Sequence, residues 1–472
     1  MAKKPIMIMG CTSDAGKSFL VTALCRHFAN QGLRVAPFKA QNMSNNAAVT
    51  PDGLEIGRAQ YLQALAARTV PQARMNPVLL KPSADTYSQV IVLGKVNDAI
   101  AALPWMERKD QLWPVVRQSL HSLMQDYDQV IIEGAGSPAE INLREGDIVN
   151  MSVALECQAE VYLAADIDRG GAFAHLLGTW ACLAPEEQAL IKGFVLNKFR
   201  GDPTLLGNAM DWLKERTGIP TVAILPLVPH SLPEEDTLHH RAQPVLGQIN
   251  IALLVYPYAS NLDEFDPLIY ERGVSVVPMR DFTPLTSYDA ILLPGSKNTA
   301  QSLRYLRESG LADEIKRAAA AGVTILGVCG GMQLLGAHIY DPHHIESGDI
   351  DGLGLLDLTT TLGADKTTRQ RQVDWVGGKQ VQGYEIHHGQ TEAGPLAQAH
   401  LAGQLGWQQG NITGVYLHGR LENTAYRQQF LEQLGWQGQA EDWRAILDDQ
   451  IEKVAGLVES SGWFRLFSGY NR

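Results

Sequence analysis

A chain of 472 residues exceeds the usual span of one domain, and 45% apolar with 19% charged residues describes an ordinary globular protein of two or three domains. The formal net charge of −12 disfavours nonspecific binding to nucleic acid or to an anionic membrane surface, and no run of about 18 apolar residues is present to span a bilayer. Five scattered cysteines (Cys11, Cys25, Cys157, Cys182, Cys329), odd in number and without C-x-x-C spacing, argue against a disulfide framework or a zinc site and fit a reducing cytoplasm.

The chain starts with a basic Met1-Ala2-Lys3-Lys4, but the apolar run Ile6-Met7-Ile8-Met9 stops at Gly10, so this is not a signal peptide. Those residues instead predict a short buried strand. The stretch Gly10-Cys11-Thr12-Ser13-Asp14-Ala15-Gly16-Lys17-Ser18 follows, and then a helical pattern from Phe19 to Ala29. Strand, loop and helix in that order make a phosphate cradle: backbone N–H groups face the phosphates, Lys17 reaches their charge, and the Ser18 hydroxyl can ligate Mg²⁺. Five residues separate Gly10 from Gly16 where the standard loop has four.

Val35 to Lys39 reads as a second strand, ending in Lys39 near where phosphates would lie. The amide-rich Lys39–Asn46 segment, with Gln41 and Asn42, suits hydrogen bonding to a polar substrate. The strand Val130-Ile131-Ile132 ends in Glu133 and a Gly-rich turn. A carboxylate at that place is a Mg²⁺ ligand candidate, because Mg²⁺ takes one or two carboxylates together with phosphate oxygens. Arg144 and Asp147 follow in a polar segment. Further strand-like runs end in Asp166, Asn197 and Pro226, and Asn197 suits either an adenine edge or a cap on the turn. Short β-branched runs alternating with helical stretches predict a parallel sheet with helices on both faces, its ligands at the strand C-termini. This first domain is expected over 1–229.

A polar, Pro-rich piece over 230–248 reads as a linker. Its adjacent His239 and His240 do not converge on one helical face and give little support for a metal site. A second α/β pattern begins at Ile249 and is expected to run to 472 with a helical tail. Ala290–Leu293 leads into Pro294-Gly295, and Val323–Val328 leads into Gly327-Val328-Cys329-Gly330-Gly331-Met332-Gln333. That G-x-C-x-G turn is a nucleophile elbow, exposing the Cys329 thiol at a helix N-terminus that favours its thiolate. The N–H groups of Gly295 and Gly330 are candidates for an oxyanion hole. Gly414–Leu417 ends in His418, the candidate base, so Cys329 and His418 form the minimum pair for acyl transfer through a thioester.

The Gly10–Ser18 spacing resembles the dethiobiotin synthetase-like branch of P-loop proteins, which use nucleotide to activate a carboxylate. Gly327–Gln333, Pro294-Gly295 and Tyr416-Leu417-His418-Gly419 resemble the flavodoxin-like class I glutamine amidotransferase domains. In those domains a glutamate usually stands two residues after the histidine. Here that position is Arg420, and the third member is left as Glu422 or none.

The two together resemble the cobyrinic acid amidating enzymes of cobalamin biosynthesis. The resemblance rests also on Lys39–Asn46, Asn142–Arg144, Asp147–Met151, Ala165–Gly171, Ser260–Leu268 and Gly383–His387. It implies ATP, Mg²⁺, L-glutamine and a carboxylate-bearing corrinoid. In the best-matching branch the substrate is adenosylcobyrinic acid a,c-diamide, amidated at b, d, e and g to adenosylcobyric acid. It places Asp147, beside Arg144, in substrate or intermediate handling. The alternatives are the branch that makes the a,c-diamide by the same chemistry and, more remotely, an ATP switch of the partition-protein type. A switch of that type has an extra early lysine where this chain has Thr12-Ser13-Asp14.

Overall fold

Side-chain alternation on the first strand already fixes a two-sided sheet. In the computed structural model, which describes residues 4–84, 87–228, 232, 245, 248–375 and 378–463, Met7 and Met9 point into one core and Ile6 and Ile8 into another. The strands are β1 (Ile6–Gly10), β2 (Val35–Phe38), β3 (Gln129–Glu133), β4 (Glu160–Asp166), β5 (Ile191–Phe199) and β6 (Thr221–Pro226). They pair in the order β6-β5-β4-β1-β3-β2, every neighbour parallel. Both faces are covered, so the strands read as unbroken apolar runs rather than alternating ones. Helix α1 (Lys17–Asn30) packs Leu20, Val21, Leu24 and Phe28 on one face. Leu112, Val116, Leu120 and Leu123 of the helix Arg108–Asp126 cover the other.

Between β2 and β3 the chain adds a four-stranded sheet (Gln41–Met43, Val78–Ala84, Tyr87–Val92, Lys95–Val96) and the helix α2 (Arg58–Ala66). The expected linker over 230–248, with its His239-His240 pair, falls almost wholly outside the described residues.

The second sheet has a parallel half and an antiparallel half. Nine of its eleven strands are β7 (Ile249–Leu254), β8 (Val274–Met279), β9 (Ala290–Leu293), β10 (Thr324–Val328), β11 (Leu358–Trp375), β12 (Lys379–Ala393), β13 (Gln398–Leu401), β14 (Gly406–Gln409) and β15 (Ile412–Val415), and the short His338–Tyr340 and Ile350–Asp351 extend it beyond β11. The order β8-β7-β9-β10-β15 is parallel; β14, β13 and β11 then continue it antiparallel, and β12 pairs with β11. The short helix α3 (Gly330–Leu335) leaves the C-terminal end of β10. Ala47, Val49, Leu79 and Ile91 of the first sheet region share a small core with Tyr384 and Ile386 of β12, which joins the halves of the molecule.

The tail departs from expectation. Helix α4 (Trp443–Ser460) does not lie on the second sheet. Its buried face of Trp443, Leu447, Ile451, Val454 and Val458 completes the core over α1, and buried Arg26 of α1 bridges Asp448 at 2.5 Å and Glu452 at 2.7 Å. The physical reason is an apolar stripe on α4 that matches the outer face of α1.

Candidate active site

The loop after β1 is held by contacts that only its own sequence permits. Gly16 has φ 89°, in the left-handed region, and a Cβ there would lie 2.1 Å from the Asn197 side-chain amide. Asn197, at the end of β5, donates to Ala15 O at 3.0 Å, so it steadies the loop. Lys17 Nζ donates to Thr12 O (3.1 Å), Ser13 O (2.9 Å) and Gly136 O (3.2 Å). Burial lowers the Lys17 ammonium to about 8 despite the neighbouring Glu133. Glu133 ends β3 fully buried, where Oε1 accepts from Ser18 Oγ (2.9 Å) and Lys39 Nζ (2.8 Å) and Oε2 accepts from Gln63 of α2. Burial opposes its ionisation, but the Lys39 ammonium and these hydrogen bonds win and hold its carboxyl below the usual range.

Ser18 Oγ and Glu133 Oε1 present two hard oxygens side by side at the mouth of the loop, a donor pair that fits Mg²⁺. Among the described residues no three His, Cys, Asp or Glu side chains gather as a metal site. A divalent ion at Glu133 would therefore draw its remaining ligands from phosphate and water.

The second constellation centres on Cys329, whose φ of 51° and ψ of −109° are costly for a residue with a Cβ. Such strain is what a strand-to-helix elbow requires. Gly330 must be glycine, since a Cβ there would sit 2.6 Å from Ser296 N. The Gly295-Ser296 segment thus lies directly against the start of α3. Position 295 also faces the base: a Cβ there would lie 3.5 Å from His418 Cε1.

His418 is fully buried, and its Nδ1 lies 3.2 Å from Glu264 Oε1. Its ring stacks on Tyr384, and the two residues exchange backbone hydrogen bonds of 2.9 and 3.1 Å. Burial would lower the imidazole, but the Glu264 carboxylate and the Cys329 thiol together raise it to about 9. An imidazolium beside Cys329 is the partner a thiolate needs.

The acid at His418 Nδ1 is thus Glu264 and not Glu422. Glu422 instead binds Arg58 at 2.9 Å. Glu264 comes from the turn Leu262–Phe265, 154 positions before the histidine. The acid-rich run Asp263-Glu264-Phe265-Asp266 was the one signal in the sequence that could have found it, and Gln63, the other residue missed, had none.

The structure brings Gly10, Gly16, Lys17, Ser18, Lys39, Glu133 and Asn197 together at one mouth, and Cys329, Gly330, Gly295 and His418 at another. Gln41 and Asn42 lie on the short strand paired to Val78 and Leu79. Arg144 turns to Glu187 (2.6 Å) and Cys182 O (3.1 Å). Both Asp147 oxygens accept backbone N–H groups, from Val149 and Asn150 and from Ser152, each at 2.9 Å. Asp147 reaches the nucleotide mouth only indirectly, through Asn150, which exchanges hydrogen bonds with Ala135 in the turn after Glu133.

A phosphate loop and a Cys–His–Glu elbow in one chain define a nucleotide-dependent glutamine amidotransferase. Comparison with protein families agrees: residues 6–237 match the CobQ/CobB/MinD/ParA nucleotide binding domain, and residues 250–426 match the CobB/CobQ-like glutamine amidotransferase domain. Cobyric acid synthase from Deinococcus radiodurans is 55% identical over 98% of this chain and 99% of that protein. The enzymes of that name from Polaromonas naphthalenivorans and Acidovorax ebreus are 50% and 51% identical, each over 90% of this chain and 92% of theirs. The chain belongs to the cobyric acid synthase family.

Proposed function

We propose that the chain amidates the b, d, e and g carboxylates of adenosylcobyrinic acid a,c-diamide to give adenosylcobyric acid, using ATP and L-glutamine. The observation that carries this reading is the presence of both halves of an amide synthesis in one chain whose relatives bear the cobyric acid synthase name. A carboxylate is a poor electrophile. In the acceptor half its oxygen takes the γ-phosphoryl group, ADP leaves, and an acyl phosphate results. Lys17, the N–H groups of the loop from Gly10 to Gly16, and Lys39 bind and orient the phosphates. Mg²⁺, held by Ser18 and Glu133, supplies charge neutralisation when bound. Gln41, half-buried beside the buried Asn42, offers its amide to the polar substrate, and Asp147 steadies the turn beside Glu133 through Asn150, while Arg144 is anchored on Glu187. Asn197 steadies the loop from the adenine side.

In the donor half the Cys329 thiolate attacks the side-chain amide carbon of glutamine. The Gly295 and Gly330 N–H groups stabilise the oxyanion, and His418 delivers a proton to the departing ammonia. Water then opens the thioester, releasing glutamate and restoring the thiolate. Ammonia attacks the acyl phosphate carbon and displaces phosphate, so an amide forms and atoms balance. Five cysteines without a disulfide support a cytoplasmic setting, and among the described residues no helix is long and apolar enough to cross a membrane.

Mass spectrometry of products from adenosylcobyrinic acid a,c-diamide with ATP, Mg²⁺ and glutamine tests the proposal. Four successive one-amide steps are expected. Turnover confined to cobyrinic acid, stopping at the a,c-diamide, would overturn it.

A further inference from the structure

The His418–Glu264 pair depends on two chain segments being held in register, each closed locally by its own turn hydrogen bonds. Glu264 sits in the turn Leu262–Phe265, and His418 lies just before the turn Arg420–Glu422. Arg420 competes for the same acid, with Nη1 3.8 Å from Glu264 Oε2. A single guanidinium from the other half of the molecule spans both turns. Arg58 Nε lies 2.6 Å from Asp263 Oδ2, next to Glu264, and Arg58 Nη2 lies 2.9 Å from Glu422 Oε1. The Arg58 and Asp263 side chains are 12% and 6% exposed, so the pair is desolvated and its geometry is enforced rather than optional.

Neighbouring contacts stitch the same turn to the first domain. Ala47 N donates to Asn261 Oδ1 at 2.9 Å, and Asn261 N donates to Asn46 Oδ1 at 2.7 Å. Asn261 has φ 54°, a backbone state that this pairing holds. Arg58 is the first residue of α2, and Gln63 near the other end of α2 donates to Glu133 in the nucleotide mouth. One nine-residue helix therefore touches both constellations.

We propose that Arg58 is a positioning residue for glutamine hydrolysis, by which the nucleotide-binding domain supplies the clamp that aligns Glu264 with His418. The proposal rests on the glutaminase reading of Cys329 and His418. It follows that the amidotransferase half is incomplete without its neighbour, and that glutamine is hydrolysed efficiently only where the acceptor site is in place.

The test uses the full chain with Arg58→Met, Arg58→Lys and, from the other side of the clamp, Asp263→Asn. Glutamine-dependent and ammonium-dependent amide formation are compared, together with the pH profile of glutamine hydrolysis. For Arg58→Met the glutamine-dependent kcat should fall about tenfold or more, with KM for glutamine changed less than about threefold and the ammonium-dependent rate within about twofold. Glu264, Cys329 and Tyr384 face His418, and Arg420 lies on the other oxygen of Glu264. A loosened Glu264 no longer raises the imidazole, so the alkaline limb of the profile should move down from near pH 9. Arg58→Lys should restore part of kcat, and Asp263→Asn should repeat the loss. A parallel fall with both nitrogen sources, or an unchanged kcat and pH profile, would overturn the proposal. A Cys329→Ser control separates the two readings. If it retains glutamine-dependent activity the glutaminase reading itself fails; if Cys329 is essential while Arg58 is indifferent, only the clamp is refuted.

Discussion

Glu264 Oε1 stands 3.2 Å from His418 Nδ1, with both side chains buried, although 154 positions separate them. In the arrangement usual for this class the acid follows the histidine by two residues. Here Arg420 takes that place, and the acid arrives from a different turn on the same side of the base. Replacing Glu264 by Gln keeps the shape and removes the charge that orients and charges the imidazole. Glutamine-dependent amidation should then fall by about 10²- to 10⁴-fold while ammonium-dependent amidation persists. If Glu422→Gln gave the larger loss, the assignment would be reversed.

Lys17 and Glu133 serve the acceptor half, which both nitrogen sources share. Lys17→Ala and Glu133→Gln should each remove amide formation with glutamine and with ammonium salts alike. Isothermal titration with ATP, with and without Mg²⁺, distinguishes the two: Lys17→Ala should weaken binding in either case, Glu133→Gln chiefly the Mg²⁺-dependent part. Full activity in the Lys17 variant would exclude the phosphate-loop reading.

His418 makes stability depend on pH in a stated direction. Its folded value, about 9, lies above the ordinary value for histidine of 6.5. The folded state therefore binds the proton more tightly, and the contribution is fully present below about pH 6.5 and lost as pH rises through about 9. The shift corresponds to on the order of 3 kcal/mol. Urea unfolding at pH 6 and pH 9.5 should show that difference in the parent chain and lose most of it in Glu264→Gln. Equal pH dependence in the two proteins would show that Glu264 does not set the imidazole's charge.

Trp443 starts the helix that covers α1, and it is 2% exposed with its ring edge-on to Tyr270 at 5.2 Å. Trp443→Ala should cost about 3–5 kcal/mol in urea unfolding. The loss should appear in the nucleotide-binding domain, 400 residues away in sequence, as weaker protection of α1 amides in hydrogen exchange. Unchanged protection there would contradict the docking of α4.

Asp147→Ala removes three backbone hydrogen bonds at the entry to the helix Met151–Cys157 and should cost about 1–2 kcal/mol. A direct substrate role would show separately, as partly amidated products accumulating at a temperature where the variant is fully folded.

Local patterns carried most of the fold. Most strands in the parallel sheets centre on a compact apolar run, and Gly10–Ser18 and Gly327–Gln333 combine residue type with strand–loop–helix context. Contacts between distant segments left no such trace. Glu264 is one of three acids within four residues until the fold carries it to His418, and Arg58 looks like any helix-opening arginine. The tail failed differently. Its apolar stripe on α4 is plain, but periodicity states that a face is buried and not against what. Asp147 and Arg144 stand beside the Glu133 turn in sequence, and their side chains hold a helix entry and Glu187.

The placement of α4 bears on how the chain is made. The nucleotide-binding sheet precedes Trp443 in the chain, yet the outer side of α1, where Arg26, His27 and Asn30 meet Asp448, Glu452 and Glu459, is covered by α4. Domains usually close as units in the order they are synthesised. Here the covering helix follows the second domain in sequence, so α1 gains that cover only once α4 has been made.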